Sequence, residues 1–168
     1  LYALEVPNPG GDTLFADIYR AYDTLSNGMK RLLNGVSGLY SSAQNNIGGR
    51  AEKMKELAGM KTAFVREAEP IEAFHPVIRT HPETGKKALY VNFSHTVHFE
   101  GMTREETLPI LEYLTRHAVK PEFTCRVRWR KGDLVFWDNR CVQHKAINDY
   151  DGQRRRMHRV TLKGDKPF

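Results

Sequence analysis

The sequence predicts a mainly β domain with helices on its outside (α+β), an antiparallel barrel or jelly roll. Three observations carry this reading. From residue 75 onward, short apolar runs alternate with turn residues. One helical pattern precedes those runs and a single one interrupts them, which places the helices on the outside. No strand–helix–strand rhythm of a parallel sheet is present.

The elements follow in order. "VPNPGG" is a turn, and "GGDTLFAD" at 10–17 runs from that turn into a short strand. Ile18, Tyr22, Leu25, Met29, Leu32 and Leu33 then recur at helical spacing. Asp17 is placed to cap one helix and Ser26 to start a second, and Gly35 and Gly38 end the region. Residues 41–74 are polar and weakly patterned and read as a long mobile loop or lid, with a short helix near 50–58. "HPVIRTHPETGKKALYVNF" holds two strand runs around a hairpin signal. In "TREETLPILEYLTRH", Thr103 and Glu106 are spaced as a capping box, Leu108, Leu111 and Leu114 form an apolar stripe, and Pro109 marks a kink or the true start. "FTCRVRW" alternates as a strand, and "LVFW" is another after a "KGD" turn. A loop over 138–152 leads to a last strand over 154–162.

The chain has 168 residues, enough for one domain spanning 1–168 with a sizeable core. No apolar run approaches the ~20 residues of a membrane span, and no secretory signal pattern opens the chain. Cys125 and Cys141 lack metal or redox spacing and read as reduced thiols of a cytoplasmic protein. The net charge is +6, yet no single helix or aromatic-interleaved repeat gathers it. Such a charge fits nucleic acid or small anions alike by composition; without a gathered basic face, a small anion is the expected partner, with no nucleic acid and no membrane, and a homo-oligomer is left open.

The charge concentrates in "QRRRMHR". On a strand over 154–162, Arg155 and Arg159 share a face with Met157 and Thr161, roughly 13 Å apart. That face is either solvated or the floor of a pocket for two anions. In the second case the buried cations need anionic ligands, which a planar guanidinium grips through two parallel hydrogen bonds. His144 precedes them by about ten residues and follows the apolar run ending at Trp137.

"LVFWDNRCVQH", "NDY" and "QRRRMHRVTLKGDKPF" resemble the C-terminal half of the taurine dioxygenase family of Fe(II)- and 2-oxoglutarate-dependent oxygenases. "GGDTLFADIYRAYDTLS" and "HPVIRTHPETGKKALYVN" resemble it in the same order. The resemblance implies a double-stranded β-helix (jelly roll, cupin-like) with its N-terminal part missing, and that His144 is one iron ligand of a 2-His-1-carboxylate triad. It implies that Arg155 and Thr13 hold the distal carboxylate of the cosubstrate 2-oxoglutarate. Arg159 would face the substrate's anionic group, and Trp137 would pack beside the iron site. The implied reaction consumes O2 and 2-oxoglutarate, gives succinate and CO2, and hydroxylates a small anionic substrate, taurine or a related sulfonate. Alkyl sulfate esters and aryloxy-carboxylates are the alternatives within the family.

The family's remaining two ligands form a His-x-Asp motif, and no His-x-Asp occurs in this sequence. Both are expected upstream of Leu1, the first residue given. The sequence is therefore expected to be a C-terminal part of the enzyme, with His144 as its one ligand. "HTVH" at 95–98 is a poor metal pair, because three-residue spacing on a strand sends its rings to opposite faces. A non-catalytic cupin-like module binding an organic anion is the competing reading.

Overall fold

The computed structural model describes residues 1–42 and 71–168. Among these residues, ten strands and three α-helices form four small sheets, antiparallel throughout. Strands β1 (Tyr2–Glu5) and β10 (Arg156–His158) pair with each other. Strand β2 (Thr13–Asp17) lies between β8 (Thr124–Val127) and β9 (Val142–Ala146). Strand β3 (Ser37–Ser41) lies between β4 (Glu72–Pro76) and β7 (Thr96–Phe99), and β5 (Ile78–Thr80) forms a hairpin with β6 (Lys87–Leu89).

The helices start where side chains satisfy their first backbone donors. Asp17 closes β2 and caps α1 (Ile18–Asp23), its Oδ1 accepting from the amides of Tyr19 at 2.9 Å and Arg20 at 3.2 Å. Ser26 caps α2 (Asn27–Leu32) through the Met29 amide. Helix α3 (Arg104–Ala118) opens on a reciprocal capping box. The Glu106 amide donates to Thr103 Oγ1 at 3.2 Å, and the Thr103 amide donates to Glu106 Oε2 at 2.8 Å. The helix begins at Arg104 and runs on through Pro109, which is exposed.

Leu111, Leu114 and Ala118 of α3 pack with Ala21, Leu25 and Leu33 against Val77, Leu89, Val91 and Phe99. This core fixes the helices over one side of the sheets. The C-terminal tail is tied to β5. Arg79, only 3% exposed, pairs with Asp165 at 2.6 Å, and the Thr80 amide donates to the Phe168 carbonyl at 2.7 Å. No helix among the described residues is long and apolar enough to cross a membrane.

Several expectations need correction. The last strand is not 154–162 but only Arg156–His158, because its partner β1 is short and its register shifts between Ala3 and Glu5. The stretch 138–152 is not one loop. It contains β9, whose polar sequence lacks apolar alternation and is made a strand by backbone pairing to β2. Ser41 and Glu72–Phe74 belong to β3 and β4, so strands trim the loop expected over 41–74. The rest of that loop, including the helix expected near 50–58, lies outside the described residues. The run "HPVIRT" divides at Val77 between two sheets, and Gly38 sits inside a strand. Leu32, counted in the helical stripe, is 51% exposed, while Leu33 is buried. "LVFW" forms only an isolated bridge from Leu134 to Tyr2.

Leu114 is fully buried in this core. Leu114→Ala should destabilise the fold by about 2–5 kcal/mol through lost burial and a residual cavity. Urea unfolding checks this; a loss under about 1 kcal/mol would show that α3 does not anchor the core.

Candidate anion and metal site

The register of β2 decides which side chains can meet. Thr13 lies opposite Val127 on β8 and Ala146 on β9, and Phe15 lies opposite Cys125 and His144. Residues directly opposite share a face, so Thr13, Phe15 and His144 point to the same side. Thr13 and His144 are diagonal neighbours, about 7–8 Å apart at the backbone. That separation suits a five-carbon diacid with one end near His144 and the other at Thr13.

The Thr13 end is built from three directions. Thr13 is 2% exposed, and its Oγ1 accepts from Trp129 Nε1 at 2.9 Å. Arg155 is half-buried and donates from Nε to the Gly11 carbonyl at 2.9 Å. No carboxylate among the described residues pairs with Arg155. Burial pushes its guanidinium pKa below the ordinary value. The Gly11 amide donates to Asp149 Oδ1 at 2.7 Å, and Arg126 bridges Asp12 at 2.6 Å and Asp149 at 3.7 Å. These bonds join the 7–13 turn to the loop that carries Arg155.

His144 is exposed on β9 and has two aromatic neighbours. Its ring stacks on Phe15 at 6.2 Å and lies 4.9 Å from Trp137, which meets Phe15 edge-on at 5.1 Å. The indole of Trp137 donates to Asn139 Oδ1 at 2.9 Å. Apolar walls on two sides suit a metal-bound imidazole. However, no three-ligand group among the described residues includes His144. Among the described residues, His144 therefore has no complete ligand set with which to hold a metal ion. Leu1, upstream of which the other two ligands are expected, is itself no part of the site. Its backbone nitrogen donates to the Val135 carbonyl at 2.8 Å, and its carbonyl accepts from the Val135 amide at 3.0 Å. Leu1 thus ties the start of β1 to the 134–136 stretch through its backbone alone.

One three-ligand group does occur, His81, Asp138 and Cys141, with ligand atoms within 4.8 Å of one another. Arg140 donates to both oxygens of that aspartate, which fills the position a cation would take. Asp138 has a different task. It accepts from Arg140 Nε at 2.9 and 3.0 Å, and from His81 Nε2 at 3.2 Å. His81 Nδ1 accepts from the Glu83 and Thr84 amides, so its proton sits on Nε2. Arg140 also reaches Glu83 and Asp165. The Asp138 carbonyl accepts from the Val142 amide at 3.0 Å. This hub fixes the turn between Trp137 and the strand bearing His144.

Arg159 lies just past β10 and is exposed, without a carboxylate partner among the described residues. Its expected face-mate Arg155 is half-buried, and both flank the three-residue strand whose Met157 faces inward against Ala3. Arg154 and Arg156 pair outward with Glu5 at 3.4 and 3.6 Å. The sequence reading missed Trp129, Gly11 and Asp138. Trp129 was visible as the end of the alternating run from Phe123, and its indole N–H demanded a partner.

A family model described as "Taurine catabolism dioxygenase TauD, TfdA family" matches residues 1–161. An alkylsulfatase of Acinetobacter baylyi is 35% identical over 169 residues, covering 98% of this chain and 51% of that protein. An alpha-ketoglutarate-dependent sulfonate dioxygenase of Saccharomyces cerevisiae is 33% identical, covering 98% of this chain and 38% of its own length. The crystal structure of AAD-2 with Mn(II) and N-oxalylglycine is similar at a TM-score of 0.80 and 30% identity, covering 98% of this chain and 62% of that one. The chain thus spans about half the length of the curated relatives it matches.

The Asp138 hub makes an acid-sensitivity prediction. Arg140's hydrogen bonds hold the Asp138 carboxyl well below the usual carboxylate range, against the opposing effect of burial. A depressed folded-state pKa contributes stability above the unfolded value, near 4, and that stability is lost as pH falls toward the folded value. Asp138→Asn should therefore be less stable than the parent at pH 7, with the gap narrowing below about pH 4. Urea midpoints at pH 7 and pH 3 test this, and an equal gap at both would remove the ionic role.

Proposed function

We propose that this chain, which belongs to the taurine catabolism dioxygenase TauD, TfdA family, carries the cosubstrate clamp of a 2-oxoglutarate-dependent dioxygenase. One observation carries the reading. Arg155 is a half-buried guanidinium held by a backbone carbonyl and lacks a carboxylate among the described residues. The distal carboxylate of 2-oxoglutarate supplies the missing charge, and Thr13 donates a second hydrogen bond to it. His144 contributes one imidazole to Fe(II), whose other ligands lie beyond the residues described. Bound iron supplies the oxidising chemistry; the residues of this chain bind, orient and keep water from the cosubstrate. In this reading the four antiparallel sheets belong to a jelly roll.

The whole protein's reaction joins 2-oxoglutarate, O2 and an anionic substrate to give succinate, CO2 and a hydroxylated product. A sulfonate such as taurine is the proposed substrate, met by Arg159. The names of the yeast and Acinetobacter relatives support a sulfonate or an alkyl sulfate ester. An aryloxy-carboxylate would use the same cation.

Arg155→Ala in the full-length protein should raise the 2-oxoglutarate requirement roughly 10–100-fold, the worth of a charged hydrogen-bonded contact. An unchanged requirement, read by succinate formation, would sink the clamp. Arg159→Ala should damage oxidation of the anionic substrate more than substrate-free turnover of 2-oxoglutarate. Equal losses in both assays would remove Arg159 from the substrate site.

A further inference from the structure

We propose that Trp129 is a positioning residue that turns Thr13 into a dedicated proton donor for a carboxylate; this rests on the clamp reading above. An indole N–H can only donate. At 2.9 Å from Thr13 Oγ1, it makes the hydroxyl an acceptor and directs the hydroxyl's own proton elsewhere. No acceptor among the described residues takes that proton. Thr13 is 2% exposed and Trp129 7%, so bulk water does not reach the pair freely. A buried hydroxyl without an acceptor is costly, and an arriving carboxylate oxygen relieves it.

The backbone explains why these two residues meet. Val127 is the residue opposite Thr13, and Trp129 lies two further along, on the same face. The opposite side of the clamp follows the same rule. Arg155 Nε is committed to the Gly11 carbonyl, which leaves the two terminal nitrogens to face the ligand. Both clamp residues therefore keep a donor for the ligand: the hydroxyl proton of Thr13 and the terminal N–H groups of Arg155. The ligand class is a 2-oxo acid with a second carboxylate; an oxo acid ending in a methyl group gains nothing from this arrangement.

The test is calorimetric titration of 2-oxoglutarate into full-length, Mn(II)-loaded protein without oxygen. Trp129→Phe and Thr13→Val should each weaken binding by about 3–10-fold, the worth of one hydrogen bond. The double variant should bind no more weakly than Thr13→Val alone, because the tryptophan acts through the hydroxyl. In a Thr13→Ser background, Trp129→Phe should keep its penalty. Affinity for 2-oxopentanoate, which lacks the distal carboxylate, should not change. Additive losses, or equal losses for 2-oxopentanoate, would overturn the positioning role while the Arg155→Ala effect still upheld the clamp. If neither Thr13→Val nor Arg155→Ala altered 2-oxoglutarate binding, the clamp reading would fail and the role of Trp129 with it. Should Trp129→Phe not fold, benzothienylalanine at 129 keeps the ring shape, removes the N–H and gives the same comparison.

Discussion

Everything at this site hangs on the hydrogen-bonded register of β2 between β8 and β9. A strand's side chains alternate, so a slip of one residue would send Thr13 and Phe15 to the opposite face. The same slip would separate Phe15 from His144 and Thr13 from Trp129. Register here is set from several sides. Asp17 ends the strand by capping α1, and α1 packs its Ala21 into the core with Leu111 and Leu114 of α3. At the other end, the Ile147 amide donates to the Asp12 carbonyl at 2.9 Å, extending the pairing beyond β9. The hydrophobic core thus acts on the site through the placement of one strand.

Charge is arranged around that strand on two levels. Several cations are matched to carboxylates: Arg79 with Asp165, Arg140 with Asp138 and Glu83, Arg126 with Asp12. These pairs fasten the tail, the Trp137–Val142 turn and the 7–13 turn to their neighbours. Surface pairs such as Arg154 and Arg156 with Glu5 add little energy. Their consequence is directional, because they draw two of the clustered arginines outward and leave Arg155 to turn inward.

Much of this was legible in the sequence. Asp17, Ser26 and the Thr103–Glu106 pair announced helix starts by local chemistry, and local chemistry is what a sequence records most directly. The "HPETGKK" hairpin was equally local. Strand β9 was not legible: "VQHKA" has no apolar alternation, and only its non-local partner makes it extended. The length of β10 was set likewise by β1, some 150 residues away in sequence. Among site residues, Thr13, His144 and Arg155 followed from motif resemblance. The Asp138 hub escaped because its partners His81, Glu83 and Asp165 come from three distant segments.

The treatment of Arg155 is the observation that most favours the proposed anion clamp. Three arginines among the described residues are not exposed, and Arg79 and Arg140 each have carboxylates at hydrogen-bond distance. Arg155 and Asp149 meet through one residue: Gly11 gives its N–H to Asp149, and its carbonyl accepts from Arg155. Asp149 thus orders the turn without neutralising the guanidinium. The turn must be glycine for this to work. Gly11 has φ +72°, and a Cβ there would lie 2.8 Å from Pro7 Cγ and 3.0 Å from Arg155 Cδ. A larger residue would push the arginine from its carbonyl, and an acid directly on Arg155 would compete with the ligand. A neutral acceptor on Nε fixes the direction of the fork while leaving its charge unspent, which is the state a carboxylate clamp requires before its ligand arrives.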